Sequence, residues 1–283
     1  MQRLEFEAAD GSRFVQLHRP PGQQLPLLLM LHGTGGTAQF AADETRWPEF
    51  ADRHGFAVAY PDGLPVNPNE PVRFLTNPQR WNDGSTKPGQ TFHATTDDVG
   101  FLAASISRLT IDFDLDPDRV AMIGFSNGAG MAFRFAAERP ELLSCVIPVA
   151  GYCHVVPLPN SLRVPTLFMI GSDDWLIPID GGPVRVPWHP EPIQRPPIAE
   201  SLERWASALG CSPNLELISE IDGIREAIYP GPVPFEVCTV AGLGHHWPGG
   251  LAKFNPRIAG PSSDRLDGRD RAWKFIANKR RSR

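Results

Sequence analysis

The sequence predicts an α/β protein with a mostly parallel central sheet covered by helices on both faces. Three observations carry this expectation. Short apolar, β-prone runs alternate with amphipathic helical stretches along the whole chain. Several of the runs, such as 26–31 and 145–150, are apolar throughout, the pattern of strands buried on both faces. The residues richest in chemistry (His32, Ser126, Asp173, Asp174, His245) each follow such a run. In open α/β sheets, sites form at the carboxyl ends of the strands.

Element by element, Phe14-Val15-Gln16-Leu17-His18 alternates and reads as an antiparallel edge strand. Residues 26–31 read as a buried parallel strand ending at His32-Gly33-Thr34-Gly35-Gly36, and 39–54 as one helix closed by Gly55. Residues 56–60 form the next strand, stopped by Pro61-Asp62-Gly63; 64–90, rich in Pro, Asn and Gly, reads as an excursion over the sheet. Val99, Leu102, Ala103, Ile106 and Leu109 give 97–111 a helical face, with Thr96 or Asp97 as cap. Residues 119–123 are β-prone and 128–138 helix-prone. Strands follow at 145–150 and 165–170, then a proline-punctuated stretch, 178–197, that carries Trp188 and His189. A helix at 198–209, a strand at 235–240 and a closing helix at 264–276 complete the chain. No repeat or linker divides it, so 1–283 reads as a single catalytic domain, with excursions 64–90 and 178–197 covering the active site.

Composition sets bounds. An apolar fraction of 41% in 283 residues supports a large core. The net charge of −5 makes no case for nucleic acid, and the basic tail 279–283 reads as a solvated end. The apolar run 25–31 is too short to span a bilayer, so no membrane partner is expected. The first residues lack an apolar leader core; the compartment is cytoplasmic if Met1 is the native start, secreted or periplasmic if a leader was removed. Cys145 reads as a small core residue, and Cys211 and Cys238 would pair only in an oxidising compartment. Without a Cys-x-x-Cys, a His-Glu-x-x-His or a phosphate loop, no metal or organic cofactor is implied.

Gly124-Phe125-Ser126-Asn127-Gly128 is the most informative stretch: Gly-x-Ser-x-Gly between a strand and a helix, the pattern that holds a serine exposed on a sharp turn. A serine hydroxyl needs an imidazole to take its proton, and the imidazole needs an acid to fix its tautomer. The order Ser, acid, His is present in Ser126, then Asp173 or Asp174, then His245 or His246. A tetrahedral oxyanion also needs amide donors. The amide of Asn127 is one candidate, and that of Thr34, in the glycine-rich turn, is the other.

His32-Gly33-Thr34-Gly35-Gly36-Thr37-Ala38, Asp97-Asp98-Val99-Gly100-Phe101, Gly124-Phe125-Ser126-Asn127-Gly128-Ala129 and Gly244-His245-His246-Trp247-Pro248-Gly249-Gly250 resemble the polyhydroxybutyrate depolymerase and feruloyl esterase type of α/β-hydrolase, from about residue 25 to 276. The resemblance implies His245 as base, two residues before the Trp-Pro pair, and Asp174 as acid, through the register of 171–174 with Pro178. Three positions depart from the family pattern: Asp173 where a small residue is usual, Ile170 for a common histidine and Thr34 for a frequent cysteine. Trp81, in the Trp81-Asn82-Asp83-Gly84 loop, either lines a pocket for an acyl or aromatic group or packs its own excursion. Trp247 either walls the cleft or anchors the histidine loop. Asp97 and Asp98 read as helix-opening caps, Trp188 and His189 as loop packing.

The expected function is a serine esterase acting through an acyl-enzyme on a small-molecule or oligomeric ester: hydroxyalkanoate oligomers, feruloyl or acetyl esters, or short acyl esters. A peptidase on the same fold and a non-catalytic binding module are the alternatives. A base that must be neutral places activity on the alkaline side of neutrality.

Overall fold

The computed structural model describes residues 1–8, 11–67, 69–74, 76–85, 96–186 and 191–281. Trp188 and His189, with 68, 75 and 86–90 of the first excursion, lie outside the described residues. The strands are β1 (Gln2–Ala8), β2 (Gly11–His18), β3 (Leu25–Leu31), β4 (Ala57–Pro61), β5 (Leu64–Pro65), β6 (Gln79–Arg80), β7 (Leu115–Phe125), β8 (Cys145–Val149), β9 (Thr166–Gly171), β10 (Gly182–Val184), β11 (Ile193–Arg195), β12 (Glu216–Ile221), β13 (Ile224–Ile228) and β14 (Phe235–Val240). The helices are α1 (Ala38–Thr45), α2 (Trp47–His54), α3 (Asp98–Asp112), α4 (Asn127–Glu138), α5 (Ile198–Leu209), α6 (Pro256–Ala259) and α7 (Gly268–Ile276).

Ten strands join in one sheet in the order β1-β2-β4-β3-β7-β8-β9-β14-β13-β12. The block from β4 to β14 is parallel; β1, β2, β13 and β12 add antiparallel margins. Every residue of β3, β4, β8 and β9 is buried, because helices cover both faces. Strand alternation divides β3 between two cores. Leu27, Leu29 and Leu31 pack with Leu102 of α3, Met131 and Phe135 of α4 and Trp205 of α5. Leu28 and Met30 pack on the other side with Trp47, Phe50 and Phe275 of α2 and α7.

Several expectations are corrected. The edge is β1, not β2, which pairs with β1 on one side and β4 on the other. The helix expected at 39–54 is two: Arg46 turns left-handed at φ 53°, and Pro48 opens α2. Proline has no N–H for the Glu44 carbonyl, which instead accepts from the Leu251 amide at 3.3 Å. The β12–β13 hairpin was not anticipated, although Asp222-Gly223, with φ of 53° and 78°, is a favoured two-residue hairpin turn. The closing helix starts at Gly268 rather than 264, capped by the Asp267 carboxylate on the Arg269 amide. All four cysteines are free and buried; burial pushes the thiols of Cys145, Cys153 and Cys238 up to about 12.

Asp97 caps α3 by accepting from the Gly100 amide. Asp98, expected as a cap, instead forms a fully buried ion pair with Arg13 of β2 at 2.6 Å, and its second oxygen takes the Asn82 amide. Among the described residues, no helix is long and apolar enough to cross a membrane.

Candidate active site

Parallel register brings the chemical segments to one rim. Leu31 pairs with Gly124, Phe125 with Val149, Val149 with Met169, and Gly171 with Val240. The turns after β3, β7, β9 and β14 therefore emerge together.

Ser126 has φ 57° and ψ −118°, a conformation that costs a β-carbon-bearing residue about 1–3 kcal/mol and must be imposed by its surroundings. Its amide donates to the Val149 carbonyl at 2.9 Å. A β-carbon on Gly124 would stand 1.9 Å from the Gly128 carbonyl oxygen, and one on Gly128 would stand 2.6 Å from the carbonyls of Leu31 and His32. The two glycines are thus steric necessities of the elbow, and they let β7 and α4 close against β3.

His245 Nε2 lies 2.9 Å from Ser126 Oγ, and His245 Nδ1 lies 2.8 Å from Asp174 Oδ2. A carboxylate only accepts, so Nδ1–H donates to Asp174 and Nε2 is left to accept from the serine hydroxyl. The other carboxylate oxygen of Asp174 accepts from the amides of Leu176 and Ile177, at 2.9 and 2.8 Å. The side chains of His245 and Asp174 are 4% and 0% exposed. The rivals are placed elsewhere: Asp173 accepts from its neighbour Ser172, and His246 is buried with Nε2 3.0 Å from the Gly260 carbonyl.

The glycine-rich turn lies against the serine; a β-carbon on Gly33 would stand 3.1 Å from that of Ser126. Gly35 and Gly36 donate to Gln79 and Gly33. Among the described residues, no carbonyl accepts from the amides of Thr34 or Asn127. His32 anchors the turn from beneath. Its Nε2 accepts from the Gly63 amide at 2.9 Å, so Nδ1–H donates to the Gly33 carbonyl at 2.8 Å. The Gly63 bond requires the neutral ring, since a protonated Nε2 cannot accept; burial lowers the His32 pKa below the usual value, against the opposite pull of the Gly33 bond.

The two tryptophans are both inside. Trp81 is 1% exposed, with its indole N–H on the His32 carbonyl at 2.9 Å. Trp247, 3% exposed, packs on Trp47 with ring centroids 6.1 Å apart. Trp247 also helps line a small pocket beside His245 with Phe40, Glu44, Phe125 and Phe254, of about 30 Å³. Among the described residues, no cluster of three or more His, Cys, Asp or Glu side chains could hold a metal ion.

Residues 14–156 match the family described as esterase PHB depolymerase. NocK of Nocardia uniformis subsp. tsuyamanensis, named only provisionally as an esterase, is 31% identical over 96% of this chain and 81% of its own. The chain belongs to the PHB-depolymerase esterase family. A feruloyl esterase B of Neurospora crassa is 30% identical over 45% of this chain, a match that spans only 39% of that enzyme. An acetyl xylan esterase from Aspergillus awamori superposes with a TM-score of 0.63 at 14% identity, over 98% of this chain and 99% of that one. The fold is that of the α/β-hydrolases, and the chain is a carboxylic ester hydrolase.

In this esterase, two features of the site escaped the sequence reading. Trp175, directly after Asp174, is 53% exposed and stands against Gly260. The carboxamide of Asn127 is also held, donating to the Asp83 carboxylate at 2.6 Å. A tryptophan directly after the two aspartates of a predicted turn was the available signal for the first; nothing local signalled the second.

Proposed function

We propose that Ser126 is the nucleophile, His245 the general base and acid, and Asp174 the residue that orients His245, with the amides of Thr34 and Asn127 as oxyanion donors. The single observation supporting this most strongly is His245 bridging Ser126 and Asp174 at 2.9 and 2.8 Å. In the forward step Nε2 takes the hydroxyl proton while Oγ bonds to the ester carbonyl carbon. The carbonyl electron pair moves onto oxygen, facing the two amides. As the pair returns, the C–O bond to the alcohol breaks and Nε2 gives its proton to the departing oxygen. Water then repeats the sequence on the acyl-enzyme, releasing the acid and restoring Ser126.

The substrate is a small or oligomeric carboxylic ester. The apolar lining of the pocket beside His245, from Phe40, Phe125, Trp247 and Phe254, supports an acyl or alkyl group there. Residues 1–283 act as one catalytic domain, with the described parts of 64–90 and 178–197 as walls of the cleft; one sheet drawing strands from Gln2 to Val240 supports that unity.

The test is a panel of p-nitrophenyl esters of increasing acyl length, methyl ferulate, a hydroxybutyrate oligomer and a peptide amide, run on wild type and Ser126→Ala. Turnover of short esters that disappears in Ser126→Ala is expected. Turnover unchanged in Ser126→Ala removes the assigned nucleophile, and preferential cleavage of the peptide amide makes the enzyme a peptidase.

A further inference from the structure

The two amides assigned to the oxyanion sit on different parts of the fold. One opens α4 after β7; the other lies in the turn between β3 and α1. A useful oxyanion site needs them at a fixed separation, since a misplacement of about 1 Å forfeits much of the stabilisation. A continuous run of hydrogen bonds joins the two.

It starts at the Asn127 side chain. Oδ1 accepts from the Trp81 amide at 2.7 Å, and Nδ2 donates to the Trp81 carbonyl at 3.1 Å. This reciprocal pair uses both main-chain groups of Trp81. The indole of the same residue then donates to the His32 carbonyl at 2.9 Å. His32 Nδ1–H in turn donates to the Gly33 carbonyl, one residue before Thr34. The Trp81 and His32 rings also lie against each other, with centroids 5.1 Å apart. The brace is itself held: the Asn82 amide donates to Asp98, and Arg134 donates to the Asn82 carbonyl.

We propose that Trp81, gripped by the Asn127 carboxamide and hydrogen-bonded to His32, is a positioning residue that sets the spacing of the two oxyanion donors. It does so without touching substrate, from beneath the cleft floor. The inference rests on the assignment of Ser126, Thr34 and Asn127 above.

The experiment compares wild type, Trp81→Phe, Asn127→Ala and the double variant on a short p-nitrophenyl ester. It also measures inhibition by a trifluoromethyl ketone, which adds to the serine as a tetrahedral oxyanion mimic. Trp81→Phe keeps an aromatic ring and the backbone pair but loses the indole N–H. The expected result is a fall in kcat of about tenfold to a hundredfold with KM changed less than about twofold. Affinity for the ketone should weaken in proportion to kcat/KM. The double variant should lose far less than the product of the single losses, because both act through one brace.

A raised KM with kcat intact in Trp81→Phe makes Trp81 a substrate contact and overturns the inference. So do losses that multiply independently, or ketone binding unchanged in both variants. If Trp81→Phe does not fold, Asn127→Ala decides by the same kcat, KM and ketone readouts. Failure of the underlying assignment looks different: wild type would then neither hydrolyse the ester nor bind the ketone, or Ser126→Ala would retain both.

Discussion

Replacing Asp174 with asparagine separates the charge and orientation of the acid from its size. In the wild type, one oxygen accepts from two amides, those of Leu176 and Ile177, and the other accepts from His245 Nδ1–H. The asparagine must choose an orientation. With its NH2 toward the two amides, it opposes donor to donor twice, at about 1–3 kcal/mol for each unsatisfied group. With its NH2 toward His245, one carbonyl oxygen still serves both amides. The second orientation wins. The ring must then accept at Nδ1, which puts its proton on Nε2, facing Ser126 Oγ at 2.9 Å. That tautomer cannot take the hydroxyl proton. Where this switch has been isolated in serine hydrolases, it costs about 10⁴ in kcat, or about 5.4 kcal/mol of transition-state stabilisation. Steady-state hydrolysis of a short p-nitrophenyl ester near pH 7.5, with Ser126→Ala as blank, measures it. Thermal unfolding of the variant checks that the fold is kept. A loss of less than tenfold in a folded Asp174→Asn protein would refute the reasoning that His245 depends on this carboxylate for its tautomer.

Two further outcomes follow from groups beneath the site. Asp98→Ala leaves Arg13 buried without the carboxylate that lies 2.6 Å from it, which costs about 3–5 kcal/mol. Calorimetry should show Tm lower by on the order of 10 °C, and a shift below about 3 °C would contradict a fully buried pair. His32 gives an acid-side dependence. Burial lowers its folded pKa against an unfolded value of about 6.5, so the unfolded chain binds more protons between the two. Its contribution is complete above about pH 6.5 and is lost as pH falls through the folded pKa. Urea midpoints at pH 7.5 and 5.0 should drop more in wild type than in His32→Gln; equal drops would exclude His32 as the group responsible.

The parts of the molecule legible in the sequence are those whose cause is local. The apolar run 25–31 became β3, buried throughout, and 198–209 became α5 residue for residue. The elbow was legible because its glycines are demanded by contacts within a few residues and by the adjacent strand. Arg46 and Pro48 carried a local warning of a helix break, hidden by otherwise helical spacing. Choices decided by distant partners were not legible. Asp173 and Asp174 are equivalent by residue chemistry alone, and only the family register pointed to Asp174; in the structure it is Asp174 that meets His245, 71 residues away. Asp98 reads as a cap until Arg13, 85 residues earlier in the chain, is brought beside it. Trp81 reads equally as a cleft aromatic or as loop packing until Asn127 and His32 enclose it. The β12 hairpin was missed because its strand is exposed on both faces and shows no alternation.

The central claim is that ester turnover passes through a covalent acyl group on Ser126. Rapid quenching during turnover of a slowly deacylated p-nitrophenyl ester, followed by peptide mapping by mass spectrometry, tests it most directly. The acyl mass is expected on the peptide carrying Ser126, formed with the release of one p-nitrophenol and absent in His245→Ala. Steady turnover with that peptide unmodified, or an acyl group on another residue that turns over at the catalytic rate, would contradict it.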